Sequence, residues 1–443
     1  MTEQRYRAQD LIQFGQDALA RIGFPVPQAL ATAKVLVEAD LRGDFAHGLV
    51  GSSGLGDMVS KVSDDQRVLG FNRLEVAAEY SLDQSRYPAI ISVDAHGGLG
   101  QYAALGILPM VIAKAKQYGY AKAYIRNSNH FGDCGIYTEM IAEHDLAAKV
   151  TCTSPAWSKP FIELQEKENP DSFLNLRRYD KVTKRFGTNP IAWSIPYAGG
   201  VITLDMAVTQ RAVSPAMAVA KHNCAILGIT TDEKGVHHIK INGESRKLSE
   251  VHLWVAASKT KQEALHKLGI NQDLDLKAAE EGLLKGPGDV DMIFPLAFDE
   301  LIQKECYVAP LGGTYYGYKG FGLNMLIEMD NVIGGGVPEL IRTLSENGTP
   351  LTTERVSQTI EAYALDVWAP LAETKKRLQV SVETTLRCGN HLLYLPGQKE
   401  QENRKKFLAE GIPMTSDRIY ALKNVAEHAK VGLRFDLSPI KSR

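Results

Sequence analysis

A strand, a glycine-rich turn, a helix and a second strand follow one another within residues 87–125, and this order constrains the fold more than any other feature. Residues 87–94 are rich in β-branched side chains and predict a strand, as do residues 121–125. Between them, Gly98 and Gly100 lead into an apolar helix that extends to about Gln117. Strands that alternate with a helix are typical of α/β proteins.

The same segment contains a match to the dinucleotide-binding pattern G-x-G-x-x-G/A, at residues 98–103. A Rossmann site also needs an acidic residue at the end of the second strand, where it holds the ribose hydroxyls. Arg126 and Asn127 occupy that place. Because glycines also permit tight packing at helix starts, we expect this match to be a packing feature and the fold to be non-Rossmann.

Other periodic segments predict further elements. The predicted helices cover residues 5–22, 27–41, 320–329 and 400–410, a strand is predicted at residues 392–395, and residues 251–284 form a helix-like surface insert rich in Lys, Glu and Ala.

Length and charge narrow the class of protein. A chain of 443 residues exceeds the roughly 100–200 typical of one domain, so two or three lobes are expected. The 50 Lys and Arg residues nearly balance 52 Asp and Glu residues, which argues against a nucleic-acid partner. We find neither an apolar run of the roughly 20 residues that span a bilayer nor a secretory leader, so no membrane partner and a cytoplasmic location are expected.

Two of the eleven histidines stand out as acid–base candidates. His47 and His130 each lie in a loop after a regular element, among small residues. Imidazole is the side chain best suited to proton transfer near neutral pH. Taken alone, a histidine of this kind is more often an ordinary surface or core residue.

Seven blocks, in the same order, resemble the malate/L-lactate dehydrogenase family of the non-Rossmann type. They are Ala39-Asp40-Leu41-Arg42-Gly43 with His47-Gly48; Gly98-Leu99-Gly100-Gln101; Asn127-Ser128-Asn129-His130-Phe131-Gly132; Phe186-Gly187-Thr188-Asn189-Pro190-Ile191-Ala192; Leu204-Asp205-Met206-Ala207; Pro310-Leu311-Gly312-Gly313 with Tyr318-Lys319-Gly320-Phe321-Gly322-Leu323; and Leu395-Pro396-Gly397 with Glu410-Gly411-Ile412-Pro413. The family includes malate, lactate, sulfolactate and ureidoglycolate dehydrogenases and reductases of cyclic imino acids.

The resemblance implies an α/β fold in two domains. Residues 81–319 would form a non-Rossmann cofactor domain with a mixed, largely antiparallel sheet, interrupted by insertions at about 163–184 and 235–295. Residues 1–80 with 320–443 would form a helical dimerisation domain built from both chain ends. The implied cofactor is NAD or NADP, the implied partners are a small-molecule substrate and a second copy of the chain, and no metal is expected.

The resemblance also assigns site residues. His47 matches the proton donor of the imino-acid reductases, and His130 matches the proposed base of the ureidoglycolate enzymes. Thr188 matches a substrate contact. The positions that match cofactor contacts are His130, Phe131, Gly132, Ser154, Asp205, Met206, Ala207, Lys319 and Gly320.

Three positions depart from the family pattern. Ala46 stands where the family has Ser, and Gly51 stands where it has the Arg that pairs with the substrate carboxylate. Loss of such a charge-assisted pair should weaken binding of a simple 2-oxo acid by about 2 kcal/mol. The aspartate that supports the histidine in the imino-acid reductases falls near Pro215, which predicts that this support is missing.

The sequence therefore predicts an NAD(P)-dependent oxidoreductase with a diverged substrate pocket. It would transfer hydride to or from a carbonyl, hydroxyl or imine carbon next to a carboxylate-like group. Arg177 and Arg178, in the first insertion, are candidate substrate contacts that could replace the lost arginine, although a solvated basic loop explains them equally well. The alternative is a cofactor-binding protein of the same fold that has lost turnover.

Overall fold

The computed structural model describes residues 4–51, 54–60, 86–156, 158, 185–209, 230–231, 237–241, 244–247, 310–336 and 356–432. The candidate substrate contacts Arg177 and Arg178 and the predicted insert at residues 251–284 lie outside them.

The chain divides into two compact units. The first contains Met1–Ser154, Pro190–Met206 and Met329–Arg443, and the second contains Pro155–Asn189 and Ala207–Glu328. The domain boundaries predicted from the sequence remain a prediction.

Two helices near the start of the first unit lie at the predicted places. Helix α1 covers Ala8–Arg21 and helix α2 covers Val26–Arg42, with a proline in its first turn. Gly43 ends α2 in the left-handed conformation, with φ of 85°. The chain therefore turns sharply just before the loop that carries His47.

A mixed, six-stranded sheet forms the centre of the first unit. Its strands are β2 Ile90–Asp94, β3 Tyr120–Ser128, β4 Leu146–Cys152, β5 Ile191–Tyr197, β6 Gly200–Met206 and β10 Val356–Ala364. The order across the sheet is β2-β3-β10-β4-β5-β6. Only the β2–β3 pair is parallel, and the other neighbours are antiparallel. The sheet is thus mixed and largely antiparallel, as predicted.

Two helices cover one side of this sheet. Helix α4, Gly100–Tyr118, connects the parallel strands β2 and β3, and helix α5, Cys134–Ala142, packs on β4 and β5. Their apolar residues join the strands in one buried core, with Val111, Ile136 and Ile360 among its members. This core fixes the positions of the loops that follow β3 and precede α4.

The two chain ends form a second core in the same unit. Strand β1, Gln4–Tyr6, pairs with β11, Ile412–Met414. Helices α3 Leu55–Ser60, α8 Gln398–Glu410 and α9 Ser416–His428 pack in this part of the unit, whereas α7, Leu371–Cys388, contacts β5 of the central sheet. Apolar residues from α1, α2, α3, α8 and α9 share a buried cluster that includes Leu11, Leu36, Met58, Phe407 and Leu422.

The second unit contains most of helix α6, Gly313–Ile333, around the predicted helix at residues 320–329. It also contains the small antiparallel sheet β7 Thr230–Thr231, β8 His237–Ile241 and β9 Glu244–Lys247. Two isolated bridges, Ser158 to Phe186 and Thr209 to Pro310, join segments of this unit that are distant in sequence.

One predicted strand is wrong. Residues 392–395 form a loop between α7 and α8, with Leu392 and Tyr394 exposed. An apolar run of four residues carries too little information to separate a strand from a loop, because no alternation of buried and exposed residues supports it. Among the described residues, no helix has the length and apolar character needed to cross a membrane.

Candidate active site

Several predicted cofactor contacts lie at one end of the central sheet. The end of β3 pairs with the start of β10, the end of β4 pairs with the start of β5, and Ile191 pairs with Met206 at the end of β6. The residues that follow or end these strands therefore emerge at the same edge. They include His130, Ser154, Asp205 and Met206.

His47 lies in the loop after α2, and its partner is Asp44. The distance between His47 Nδ1 and Asp44 Oδ2 is 2.5 Å. Both side chains are about one-third exposed, at 34% and 32%. Burial lowers the pKa of His47, but the hydrogen bond and charge of Asp44, with the charge of Asp133, raise it above 6.5 overall.

This contact corrects the prediction that His47 has no carboxylate support. Position 215 lies outside the described residues, but Asp44 supplies a carboxylate from three residues before the histidine. Burial raises the pKa of Asp44, whereas the hydrogen bond to His47 and the charge of His47 lower it. The resulting pKa lies below the usual 3.8. Asp44 therefore stabilises the protonated form of His47.

His130 lies in a loop held on both sides. The side-chain amide of the preceding Asn129 donates to the carbonyl oxygens of Gly97 and Gly98, at 2.7 and 3.0 Å. Gln358 Nε2 donates to the Asn129 carbonyl oxygen at 2.9 Å. The loop is thus fixed to the turn before α4 and to strand β10.

The two histidine rings stack. Their centroids are 5.5 Å apart, with an angle of 15° between the ring planes. The Gly132 N–H donates to His130 Nδ1 at 3.1 Å, which requires that Nδ1 carry no proton. His130 is therefore neutral with its proton on Nε2, beside a His47 whose protonated form Asp44 stabilises.

Two carboxyl groups meet at the start of α5. Asp133 and Asp205 both accept a hydrogen bond from the Gly135 N–H, at 2.7 and 2.6 Å. Burial of the carboxyl and the charge of Asp133 raise the pKa of Asp205 well above 3.8. Asp205 is an exposed residue, so repulsion from the neighbouring Asp133 explains its raised pKa better than burial does.

Asp40, in the family-like block before His47, holds the histidine loop to the C-terminal helix. Its carboxylate accepts hydrogen bonds from the Leu49 N–H at 3.1 Å and from Arg418 Nη2 at 2.5 Å. Arg418 also lies over the ring of Phe45, 4.2 Å from its centroid. Asp40 is fully buried, and this burial raises its pKa to about 6 despite the nearby arginine.

Arg42, from the same block, connects α2 to α5. Its guanidinium binds Glu139 at 2.8 Å and Glu38 at 3.3 Å. Arg42 is buried and thus structural, which explains two of the family-like positions by packing and not by contact with a substrate.

Four further predicted residues, Thr188, Ala207, Lys319 and Gly320, belong to the second unit. The Thr188 carbonyl oxygen accepts the Val208 N–H at 2.9 Å. Lys319 is exposed, with its ammonium 5.4 Å from the centre of the Tyr316 ring, while Gly320 is buried. Ala207 is half-buried.

Sequence reasoning missed Asp44, Asp133 and Arg418. Asp44 could have been found from its spacing, since a carboxylate three residues before a loop histidine can reach the ring. Asp133 precedes an apolar helix and is a typical N-cap. Nothing in the sequence indicated Arg418, because it is 378 residues from the aspartate it binds.

Fold and site together define an α/β protein with two stacked imidazoles, one of them paired with a carboxylate. Residues 6–164 match the family model described as malate/L-lactate dehydrogenase. The predicted resemblance to this family is therefore confirmed.

Relatives and a solved structure agree with this assignment. The L-sulfolactate dehydrogenase of Methanocaldococcus jannaschii is 29% identical over 44% of this chain and 48% of its own, so the match spans about half of that relative. A Delta(1)-pyrroline-2-carboxylate/Delta(1)-piperideine-2-carboxylate reductase of Pseudomonas aeruginosa is 27% identical over 63% of this chain and 73% of its own. The malate dehydrogenase structure of Pyrococcus horikoshii has a TM-score of 0.62 at 19% identity and covers 97% of both chains, which shows a shared fold.

The names of two other relatives state their cofactor. They are ureidoglycolate dehydrogenase (NAD(+)) of Escherichia coli and (2R)-3-sulfolactate dehydrogenase (NADP(+)) of Chromohalobacter salexigens. The predictions of a dehydrogenase or reductase and of NAD or NADP agree with the names of these relatives.

Proposed function

We propose that this protein is an NAD(P)-dependent oxidoreductase that transfers hydride to or from a carbonyl, hydroxyl or imine carbon next to a carboxylate-like group. The observation that carries the proposal is the stacking of His47 on His130, from two loops 83 residues apart in number, beside the sheet edge with the predicted cofactor contacts Ser154, Asp205 and Met206. When bound, the nicotinamide would supply or accept the hydride.

The roles of the two imidazoles differ because their partners differ. His47, paired with Asp44, is protonated more readily than a free histidine and is the proton donor during reduction. His130 is neutral, and its protonated Nε2 can donate a hydrogen bond to the nicotinamide carboxamide or to the substrate. The orientation of both rings is fixed by hydrogen bonds to neighbouring residues.

The charges around His47 bear on the choice of substrate. Asp44 and Asp133 act on its ring, and Gly51 provides no side chain to bind a substrate carboxylate. A carboxylate-bearing substrate, whether a 2-oxo acid or an imine, would be repelled by these aspartates and would find no arginine at this position. We therefore propose both imine reduction and 2-hydroxy acid oxidation as candidate reactions, with Arg177 or Arg178 as the source of the missing cation.

The other assignments implied by the family resemblance are kept as proposals. They are the cofactor contacts Phe131, Gly132, Ala207, Lys319 and Gly320, the substrate contacts Thr188, Arg177 and Arg178, a homodimer, and a cytoplasmic location. The alternative of a cofactor-binding protein without turnover is supported by Ala46 and Gly51.

The test is a fluorescence titration with NADH and NADPH, followed by a screen of 2-oxo acids with and without amines. We expect binding of one nucleotide, turnover of at least one substrate, and a loss of about 100-fold or more in turnover for His47→Gln with nucleotide binding retained. Binding without turnover would support the alternative. A folded protein that binds neither nucleotide would contradict both.

A further inference from the structure

We propose that Asp44 is the positioning residue of His47, and that it replaces, from within the same loop, a carboxylate that the imino-acid reductases supply from a distant part of the chain. The inference deepens the proposed function, because it concerns the group assigned there as the proton donor.

The hydrogen bond determines which ring nitrogen faces the reaction. Asp44 Oδ2 lies 2.5 Å from His47 Nδ1, so Nδ1 carries a proton and donates a hydrogen bond to the carboxylate. Asp44 Oδ1 also accepts the His47 backbone N–H, at 3.4 Å. Both carboxylate oxygens of Asp44 therefore accept hydrogen bonds from His47. The ring atom left to exchange a proton with a substrate is Nε2.

The proton passes from His47 to the substrate. During reduction the Nε2–H bond of the imidazolium breaks and its electron pair stays on Nε2. The proton joins the substrate oxygen or nitrogen, which has received the electron pair of the double bond as hydride adds to carbon. His47 ends as a neutral imidazole whose Nδ1–H still donates to Asp44.

The groups that face His47 leave the positive charge on its ring. Within the described part of the chain they are Asp44 from its own loop, the stacked ring of His130 from the loop after β3, and the charge of Asp133 at the start of α5. Two stacked imidazoles cannot both be charged at low cost, and His130 accepts a backbone N–H at Nδ1. Asp44 therefore determines that His47 is the ring that holds the exchangeable proton.

The loop gives Asp44 little freedom to turn away. Its backbone N–H donates to the Ala39 carbonyl oxygen at 3.0 Å, and the His47 N–H donates to the Asp44 carbonyl oxygen at 3.3 Å. Asp40 holds the Leu49 N–H on the other side of the histidine. The short distance is thus maintained by the backbone and not only by attraction between the two side chains.

The experiment is a histidine titration by ¹⁵N NMR in the full-length chain, with Asp44→Asn as the test variant. The His47 signals are assigned by their loss in His47→Gln. In the wild-type protein we expect protonated Nδ1 and a midpoint above 6.5. In Asp44→Asn we expect the titration midpoint of His47 to fall below the wild-type value. We also expect a smaller fraction of the neutral ring to carry its proton on Nδ1.

Turnover gives a second, separate readout. Asp44→Asn should lower kcat by about 100-fold while KM changes little, and Asp44→Glu should recover part of the loss. Asp366→Asn is the matched control, since Asp366 is exposed in a loop after β10, and it should change neither readout.

An unchanged His47 midpoint and tautomer in a folded Asp44→Asn variant would overturn the inference. If the wild-type protein turns over no substrate, the proposed function fails, but the titration still decides the role of Asp44. A purely structural role would lower thermal stability without moving the midpoint, and that result would also overturn the inference.

Discussion

Gly48, directly after the candidate proton donor His47, lies against a buried carboxylate. A Cβ atom at this position would overlap Asp40 Oδ1. The His47-Gly48 pair is therefore explained by two separate needs, an imidazole for chemistry and a residue without a side chain for packing.

We expect Gly48→Ala to destabilise the protein by about 1–3 kcal/mol, because the added methyl group must displace the Asp40 carboxylate or the loop. Turnover should fall as well, since the displaced backbone carries His47. Urea unfolding measures the stability. Gly56→Ala, on a helix position with open space around it, is the control and should be neutral or slightly stabilising. Equal stability of Gly48→Ala and wild type would contradict this packing.

Among single residues, the sequence predicted the two histidines but not their partners. Both histidines were found because they are the chemically suitable type in loops of small residues. Asp133 and Asp205 meet only because α5 begins beside the end of β6, so their contact depends on the packing of a helix on a sheet.

At the level of elements, the start of α4 shows what the apparent dinucleotide pattern does. A Cβ atom on Gly100 would overlap the Asn129 carbonyl oxygen and lie 2.8 Å from Phe131 Cβ. The glycine allows the helix to approach the loop that carries His130. The strand–helix–strand unit is real, with β2 and β3 parallel, but its glycine serves close packing, as expected from the missing acidic residue.

Gly100→Ala should therefore shift the His130 loop and destabilise the protein by about 1–3 kcal/mol. Gly106→Ala lies in the same helix with nothing within 4 Å of the new methyl group, and it should be neutral or stabilise by up to about 1 kcal/mol. Thermal unfolding of the two variants compares them directly. Equal melting temperatures would show that α4 does not need the close approach.

Amphipathic helices such as α1 and α2 could be predicted because their apolar spacing is local. Strand β10 could not, although it lies between β3 and β4. Its residues 356–364 follow β4 by about two hundred positions, and a strand buried within a sheet has no strong alternation to distinguish it from a helix segment. The sequence therefore predicted no strand at these residues.

For the first unit as a whole, a buried ion pair joins the two ends of the chain. Arg418 in α9 binds Asp40 in α2, and the pair is buried, with 13% and 0% of the side chains exposed. The folded pKa of Asp40, about 6, lies above the usual 3.8, so its ionisation lowers stability as pH rises through this range. Arg418 limits that loss by pairing with the charged form.

Arg418→Gln should therefore cost about 3 kcal/mol at pH 8, where Asp40 is left charged and buried, and less at pH 5, where Asp40 is mostly protonated. Urea unfolding at both pH values measures the difference. Arg377→Gln breaks an exposed pair with Glu373 and should cost about 0.5 kcal/mol or less at either pH. A cost for Arg418→Gln that is the same at pH 5 and pH 8 would contradict the role of Asp40.

The sequence by itself determined the α/β class, the family resemblance and the two imidazoles, because these depend on local periodicity, on blocks in a fixed order and on residue chemistry. The tertiary structure decided which groups act on the imidazoles. Asp44 reaches His47 through the turn after α2, His130 stacks on it from a loop after β3, and Arg418 fixes the loop from the C-terminal helix. The last two contacts arise from packing between distant segments, and a linear pattern of residues does not encode their distances.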